Sequence, residues 1–233
     1  LLDNDSSEGS IITLINDLNS DSKVHGILVQ FPLPGHLNSN KIISSISPNK
    51  DVDGLHAANL GCLMQGEPNF IPCTPLGCIE ILKYYKIDVK SKNIVIIGRS
   101  NLVGKPLYSL LSQKFSIGNA TVTLCHSSTV NIGSFTKNAD IIIVAVGKPN
   151  MLTANMVKNG SIIIDVGINR INDNSDKGYH IVGDVDFDNL INKVKFITPV
   201  PGGVGPMTIT MLLYNTVLSA KKYSNQYDQI NYI

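Results

Sequence analysis

The sequence has no CxxC pair, no long apolar run and no excess of charge of either sign. Its four cysteines, Cys62, Cys73, Cys78 and Cys125, also form no cluster with spaced histidines. That pattern argues against a zinc module, so no metal is expected, and it predicts free thiols in a reducing, cytoplasmic compartment. The longest apolar pieces, such as IIIVAV at 141–146, are far shorter than a membrane span. The net charge is +1 and no basic run exceeds Lys221-Lys222. Nucleic acid and membrane surfaces are therefore not expected as partners. The N-terminal LLDNDSSEGS has neither a basic start nor an apolar signal core. It begins with leucine instead of methionine, so residues upstream of Leu1 are expected, and any organellar targeting signal would sit among them. No internal repeat is evident, and the plentiful Asn and Ile are scattered.

The 233 residues suffice for one large domain or two modest ones with a real core. Ile11, Ile12, Leu14, Ile15 and Leu18 recur at helical spacing, which predicts an amphipathic helix over 7–19. GILVQF at 26–31 reads as a short buried strand stopped by PLPG. A helix near 38–46 and the polar loop PNKDVDG at 48–54 follow. Thr74 and Pro75 read as the N-cap and first residue of a further helix. From there strands and helices alternate: NIVIIG (93–98), a helix near 104–115, TVTLC (121–125), IIIVAVG (141–147) and SIIIDVG (161–167). A polar hairpin-like stretch (168–182), a helix in VDFDNLINKV, a strand at FIT and a final helix complete the chain. Continuous Val/Ile runs fit a parallel sheet covered on both faces. The expected fold is α/β with two α/β units, the second a Rossmann-type, doubly wound, mostly parallel sheet. The expected boundaries are 1–75 plus 207–233 for the first unit and 76–206 for the second.

Gly98-Arg99-Ser100-Asn101-Leu102-Val103-Gly104 lies where a dinucleotide fold places its phosphate loop, between a strand and a helix. The spacing is not GxGxxG, and Pro106 after Lys105 rules out a P-loop. Taken alone the loop admits two readings, a phosphate cradle or an unliganded βα turn. The end of the next strand, where NAD-binding folds carry Asp or Glu, reads His126-Ser127-Ser128. No carboxylate there repels a 2′-phosphate, and Arg99 offers a planar fork for one, so the residues favour NADP over NAD. A solvated charge for Arg99 and helix caps for the serines are the competing readings.

In the first unit, Gln30 ends the expected strand, and α/β ligands bind outside such ends. Asp51 and Asp53 lie two residues apart before Gly54. The preferred reading for Asp51 is an Asx-turn with a solvated carboxylate. Asp53 is free to point inward and accept two N–H donors from a flat heterocycle. His25 and His56 are candidate bases, although a lone histidine is more commonly packed or surface-exposed.

The segments GILVQFPLPG (26–35), PNKDVDG (48–54), PCTPLG (72–77), VIIGRSNLVGKP (95–106), VAVGKP (144–149), DVGIN (165–169), IVGDV (181–185) and TPVPGGVGPMT (198–208) resemble the bifunctional methylenetetrahydrofolate dehydrogenase/methenyltetrahydrofolate cyclohydrolase family. The resemblance runs from near residue 10 to near residue 222. It implies oxidation of methylenetetrahydrofolate with NADP, followed by hydrolysis to formyltetrahydrofolate, in a homodimer. It implies a folate-binding catalytic domain, a Rossmann domain and a final helix that returns to the first. Gln30 matches a glutamine that contacts a catalytic lysine and the folate, within a substrate-binding stretch of Val29, Gln30 and Phe31. Asp53 matches the aspartate that anchors the pterin. Pro201, Gly202, Gly203, Val204 and Gly205 match the folate-lining loop. Gly98, Arg99, Ser100, Gly104, Ser127 and Ile168 fall at cofactor-contacting positions.

The sequence departs from the family in one place. The family's Tyr-x-x-x-Lys proton shuttle lies upstream of every segment present. Tyr84, Tyr85 and Lys86 fall outside that motif context, and Lys50 makes a poor base because the nearby Asp51 and Asp53 favour its charged form. The expectation is a bifunctional full-length enzyme whose catalytic lysine precedes Leu1. The alternative is a truncated form that binds NADP and folate with little cyclohydrolase activity. A generic NADP oxidoreductase would share 93–167 but has no reason to carry both the Gln30 motif and PVPGGVGP. In that last loop, Pro199 and Pro201 stiffen the strand exit, the glycines clear space for a flat ring, and Pro206 fits the first helical turn.

Overall fold

The structure, a computed structural model, describes residues 2–224; Leu1 and residues 225–233, which belong to the expected first domain, lie outside the described residues. The chain divides into two compact units, one made of residues up to Cys73 with those from Met211 onward, the other of Thr74–Thr210. In the first, α1 (Glu8–Ser20) starts at Ser7, whose side chain accepts from the Ser10 N–H. α2 (Ser39–Ser45) starts at Asn38, whose side chain accepts from the Lys41 N–H. Glu8 ties the two together, accepting from the Asn38 N–H and from Lys41 Nζ. Ile11 and Ile15 of α1, Ile42 of α2, Ile27 and Ile46 form their shared core. The expected strand at 26–31 does not form. Only Ile27 pairs, as an isolated parallel bridge to Asp51. A strand needs a ladder partner, and the neighbouring segment 48–54 is folded into turns. A helix that the sequence reading did not anticipate, α3 (Ala57–Gln65), is capped by the His56 ring, whose Nδ1 accepts from the Ala58 N–H.

The second unit opens with α4 (Cys73–Tyr84), which begins at Cys73. Thr74 is therefore not its N-cap. The Thr74 hydroxyl instead meets the Thr208 hydroxyl at 2.9 Å, and Pro75 sits within the first turn, where no intrahelical N–H is lost. β1 (Asn93–Ile97), α5 (Gly104–Ser112), β2 (Thr121–Cys125), α6 (Ile132–Thr136), β3 (Ile141–Val144) and β4 (Ile162–Asp165) follow. β5 (Asn169–Asn172) and β6 (Tyr179–Val182) pair antiparallel as a separate hairpin, before α7 (Phe187–Leu190) and β7 (Phe196–Ile197). The main sheet is parallel throughout, in the order β2-β1-β3-β4-β7. Val95 and Ile97 of β1 join Ile142, Val144 and Ile163 in one core cluster. Successive strand residues face opposite ways, and Ile94 and Ile96 are equally buried, so both faces of the sheet are covered.

The final helix, α8 (Val204–Tyr223), enters the first unit from Met211 onward. Its buried side chains there include Asn215 and Ser219 as well as Met211 and Leu218. The Ser219 hydroxyl donates to the His25 and Asn49 carbonyls. Lys50 is also buried, and its Nζ donates to the carbonyls of Leu18, Asn19 and Asp21 at 2.7–2.9 Å. The Leu18 and Asn19 carbonyls are orphans of the last turn of α1, where a cation is favoured, and Asp21 is its C-cap. Lys50→Met keeps the aliphatic stem and removes all three bonds. It is expected to lower the unfolding free energy by about 3 kcal/mol, read from the shift of the urea midpoint.

Candidate active site

The strand order of the second unit is that of a doubly wound sheet whose switch point lies between β1 and β3, and ligands of such sheets bind outside the carboxyl ends of the strands at that point. The segment 98–103 leaves β1 there. Its backbone is held from both sides: the Gly98 N–H donates to the Cys125 carbonyl, and the Ala145 N–H donates to the Ile97 carbonyl. Gly98 has φ +124°, and a Cβ on it would collide with the Ala145 carbonyl. A Cβ on Gly104 would collide with the Gly98 carbonyl, so the two glycines let the loop close onto the start of α5. The Ser100 hydroxyl accepts from the Val103 N–H and its carbonyl from the Lys105 N–H, which shapes the turn. Arg99 and Ser100 are exposed.

β2 neighbours β1, and the turn after it carries His126, Ser127 and Ser128. The Thr129 hydroxyl and the His126 ring accept backbone N–H groups inside that turn, which leaves the exposed Ser127 outside the capping role considered from sequence. Gly98, Arg99, Ser100 and Ser127 thus stand at the carboxyl ends of adjacent strands. Ile168 is exposed but follows β4, with β3 between it and the phosphate loop; the nearest atom to a Cβ built on Gly205 is its Cδ1. Among the described residues no group of three or more His, Cys, Asp or Glu is placed to hold a metal ion.

Two carboxylates that the sequence reading did not single out organise this end of the sheet. Asp184 is fully buried and accepts from the N–H groups of Val146, Gly147 and Lys148 and from Asn169 Nδ2, all at 2.7–2.9 Å. Asp165, at the end of β4, accepts from the N–H groups of Gly167, Asp184 and Val185. Burial pushes the Asp165 carboxyl above the usual carboxylate range, against the lowering effect of those N–H donors. The available signal was the recurrence of Asp and Gly in DVGIN and IVGDV, since a buried Asp beside a turn accepts several backbone donors.

The loop from Thr198 into α8 is held to the sheet by the Thr198 hydroxyl, which accepts from the Asp165 N–H. Gly202 has φ +101° and open space beside it. A Cβ on Gly203 would instead collide with the Pro199 carbonyl. The glycine at 203 therefore lets the loop fold on itself. Val204 and Gly205 belong to the first turn of α8, and Val204 is buried. Gly202 and Gly203 line a cavity of about 810 Å³ with Tyr84, Tyr85, Phe196 and Met207.

In the first unit, Val29, Phe31 and Asp53 line one small cleft with Ile27, Leu55 and Asp51. Gln30 is not among the cleft's residues: its side chain is exposed, and its Nε2 donates to the Phe31 carbonyl. Asp51 is 1% exposed and accepts from the His56 N–H and Asn59 Nδ2. It is not the solvated acid expected, because α3 folds back over the loop and supplies both donors. Asp53 is partly buried, and desolvation raises its carboxyl above the usual range, against a lowering effect of the nearby Cys73 thiol, which itself donates to the Val52 carbonyl at 3.5 Å. His56 is used as a cap and Lys50 as a clamp on α1. His25 lies 5.5 Å, ring to ring, from Tyr223.

The sequence matches the model of the tetrahydrofolate dehydrogenase/cyclohydrolase NAD(P)-binding domain over residues 72–224, and that of the same family's catalytic domain over residues 1–53. The bifunctional protein FolD of Campylobacter hominis is 56% identical over 220 residues, covering 94% of this chain and 74% of the relative. That of Chlamydia felis is 53% identical over 225 residues, covering 96% and 78%. The solved bifunctional enzyme FolD of Campylobacter jejuni is 51% identical with a TM-score of 0.88, covering 95% of this chain and 76% of that one. The Trypanosoma brucei enzyme, solved with NADP and an inhibitor, is 35% identical with a TM-score of 0.88, covering 96% and 75%. The chain belongs to the bifunctional tetrahydrofolate dehydrogenase/cyclohydrolase family.

Proposed function

We propose that this chain oxidises 5,10-methylenetetrahydrofolate to the 5,10-methenyl form with NADP and hydrolyses the product to 10-formyltetrahydrofolate. The observation that carries the dehydrogenase reading is the closed loop 98–104 at the switch point of a doubly wound sheet, in a chain of this family. The donors beside it suit NADP. Arg99 is an exposed guanidinium, Ser127 an exposed hydroxyl, and no carboxylate ends β2. Arg99 and Ser127 bind the 2′-phosphate; Gly98, Ser100 and Gly104 present backbone and the start of α5 to the pyrophosphate. Ile168, exposed beyond β4, is the further cofactor-contacting position. Bound NADP supplies a hydride acceptor.

Asp53 holds the pterin ring through its N–H groups, with Val29 and Phe31 as apolar neighbours. Gln30 turns from its contact with the Phe31 carbonyl to meet the folate. Pro201, Gly202, Gly203, Val204 and Gly205 form the folate-lining segment. Hydride departure needs little acid–base help, because the lone pairs on folate N5 and N10 drive it; the residues supply orientation. Hydrolysis needs a proton shuttle to activate water. Lys50 does not act as that shuttle, since its Nζ is occupied by three carbonyls. The unit up to Cys73 with the chain from Met211 is the folate-binding domain, the unit Thr74–Thr210 the NADP-binding domain, and the protein works as a homodimer. All four cysteines are free, in keeping with a reducing, cytoplasmic location, and among the described residues no helix is long and apolar enough to cross a membrane.

Purified protein given methylenetetrahydrofolate and NADP should form NADPH in proportion to substrate consumed; no NADPH at saturating substrate would refute the dehydrogenase reading. Arg99→Met should lower kcat/KM for NADP at least tenfold, about the loss of one charge-assisted bond, while kcat/KM for NAD changes less than threefold. Gly203→Val, by forcing open the segment 198–203, should weaken folate binding at least tenfold and NADP binding less than threefold in parallel calorimetric titrations. Equal losses would mean that the loop serves stability alone.

A further inference from the structure

Ile168 is 66% exposed, yet the chain on either side of it is tied to two buried carboxylates. Before it, the Gly167 N–H donates to Asp165 Oδ1 at 2.9 Å, and Gly167 packs so closely on Asp184 that a Cβ there would collide with its carboxylate. After it, Asn169 Nδ2 donates to Asp184 Oδ1 at 2.8 Å and to the Gly183 carbonyl at 3.1 Å. Asp165 also accepts from the Asp184 N–H at 3.0 Å, which joins the two carboxylates. The remaining donors on Asp184 are the N–H groups of Val146, Gly147 and Lys148, at the exit of β3. One carboxylate thus ties the exit of β3 to the segment that carries Ile168. An exposed isoleucine alone is ordinary on a protein surface. Burying a charge to hold one in place is costly unless every donor is met, as it is here.

We propose that Asp184 and Asn169 are positioning residues for the nicotinamide half of NADP: the Asn169 amide draws Ile168 to one side of the Asp184 carboxylate, the 146–148 backbone stands on the other, and the shared anion fixes their separation. The proposal rests on the reading of the second unit as an NADP site with Ile168 as a cofactor-contacting position, and it adds the groups that hold that position.

The topology favours this half of the cofactor. A dinucleotide lies across the switch point with one nucleotide on each side. Arg99 and Ser127, read as the 2′-phosphate ligands, stand after β1 and β2, so the nicotinamide nucleotide crosses the ends of β3 and β4. At the usual strand spacing the end of β4 is about 10 Å from that of β1, within reach of a second nucleotide. Three successive N–H groups turned onto one anion is also an arrangement by which backbone binds phosphate. Asp184 fills it from within at 146–148, and the cofactor's phosphates are left to the loop 98–104.

The test is calorimetric titration with NADPH and with ADP-ribose 2′-phosphate, which keeps the phosphates and lacks the nicotinamide. The wild type should bind NADPH at least fivefold more tightly. Asn169→Ala removes the tie to Asp184 and should weaken NADPH about fivefold, the usual worth of one hydrogen bond, with ADP-ribose 2′-phosphate within 1.5-fold. Ile168→Ala should show the same selective loss. The double variant should bind NADPH within twofold of Ile168→Ala alone, because Asn169 acts through Ile168. Asp184→Asn turns a donor amide onto the N–H groups of 146–148 and should weaken NADPH at least tenfold with the same selectivity. A merely structural role would weaken both ligands equally and would add to the Ile168→Ala loss. Either result overturns the proposal, as does wild-type NADPH affinity in Asn169→Ala or Ile168→Ala, or a wild type that binds the two ligands equally. A wild type that binds neither ligand refutes the NADP reading itself, and the positioning role falls with it. Should Asp184→Asn fail to fold, Asn169→Ala and its cycle with Ile168→Ala decide.

Discussion

The structure depends on one constraint, that loops at a working end must be packed tightly without leaving their backbone groups unpaired. A buried N–H or carbonyl that loses water must find another partner. Asp184 resolves this in the second unit. One carboxylate takes three consecutive N–H groups from the exit of β3 and a fourth donor from Asn169. Asp165 adds three more acceptor bonds at the exit of β4 and reaches Asp184 through its backbone. The strands could end at this face without such groups, but the loops would then have to stay hydrated and loose. A carboxylate suits the task because it accepts only and can serve several donors at once.

The same requirement explains where the phosphate loop can sit. In the parallel order β2-β1-β3-β4-β7 the connections run opposite ways on either side of the β1–β3 pair, and such a switch point is where a doubly wound sheet leaves a crevice. Gly98 and Gly104 allow the loop to close on itself over the Ala145 carbonyl. Asp184 fixes the neighbouring segment 146–148. The crevice is thereby bordered on both sides by backbone whose direction is set before any ligand arrives. That is the preorganisation a dinucleotide site requires, and Arg99 and Ser127 are the exposed groups proposed above to choose among dinucleotides.

How much of this was legible depended on how local the cause was. Strands β1 and β2 could be read almost to the residue; in β1 the reason is a continuous Val/Ile run buried on both sides, which needs no further information. The helix α1 could be read for the same reason, from its spacing and Ser7. The expected strand at 26–31 failed because a strand needs a partner, and the composition of GILVQF says nothing about the turns of 48–54 beside it. Thr74 carried a local cap signal that tertiary packing overrode, since its hydroxyl meets Thr208. Asp51 and Lys50 were read as solvated or near-site charges on the strength of a polar neighbourhood in sequence. Both turned out to be buried, because their partners lie in α3 and at the end of α1. The resemblance to a family supplied expected roles for Gln30 and Asp53, but not the groups packed around them.

Those groups are concentrated on the polar face of α8, and the reason is geometric. A helix packed on loops meets carbonyls that no ladder has satisfied, so an all-apolar face there would leave them stranded. Asn215, Ser219 and Lys222 recur at intervals of four and three, which keeps them on one side of the helix. Between them they serve carbonyls at residues 25, 49, 52, 69 and 71. Within MTITMLLYNTVLSA, the single Asn looks like a flaw in a hydrophobic helix. It marks the point where the helix stops filling a core and begins to order a loop.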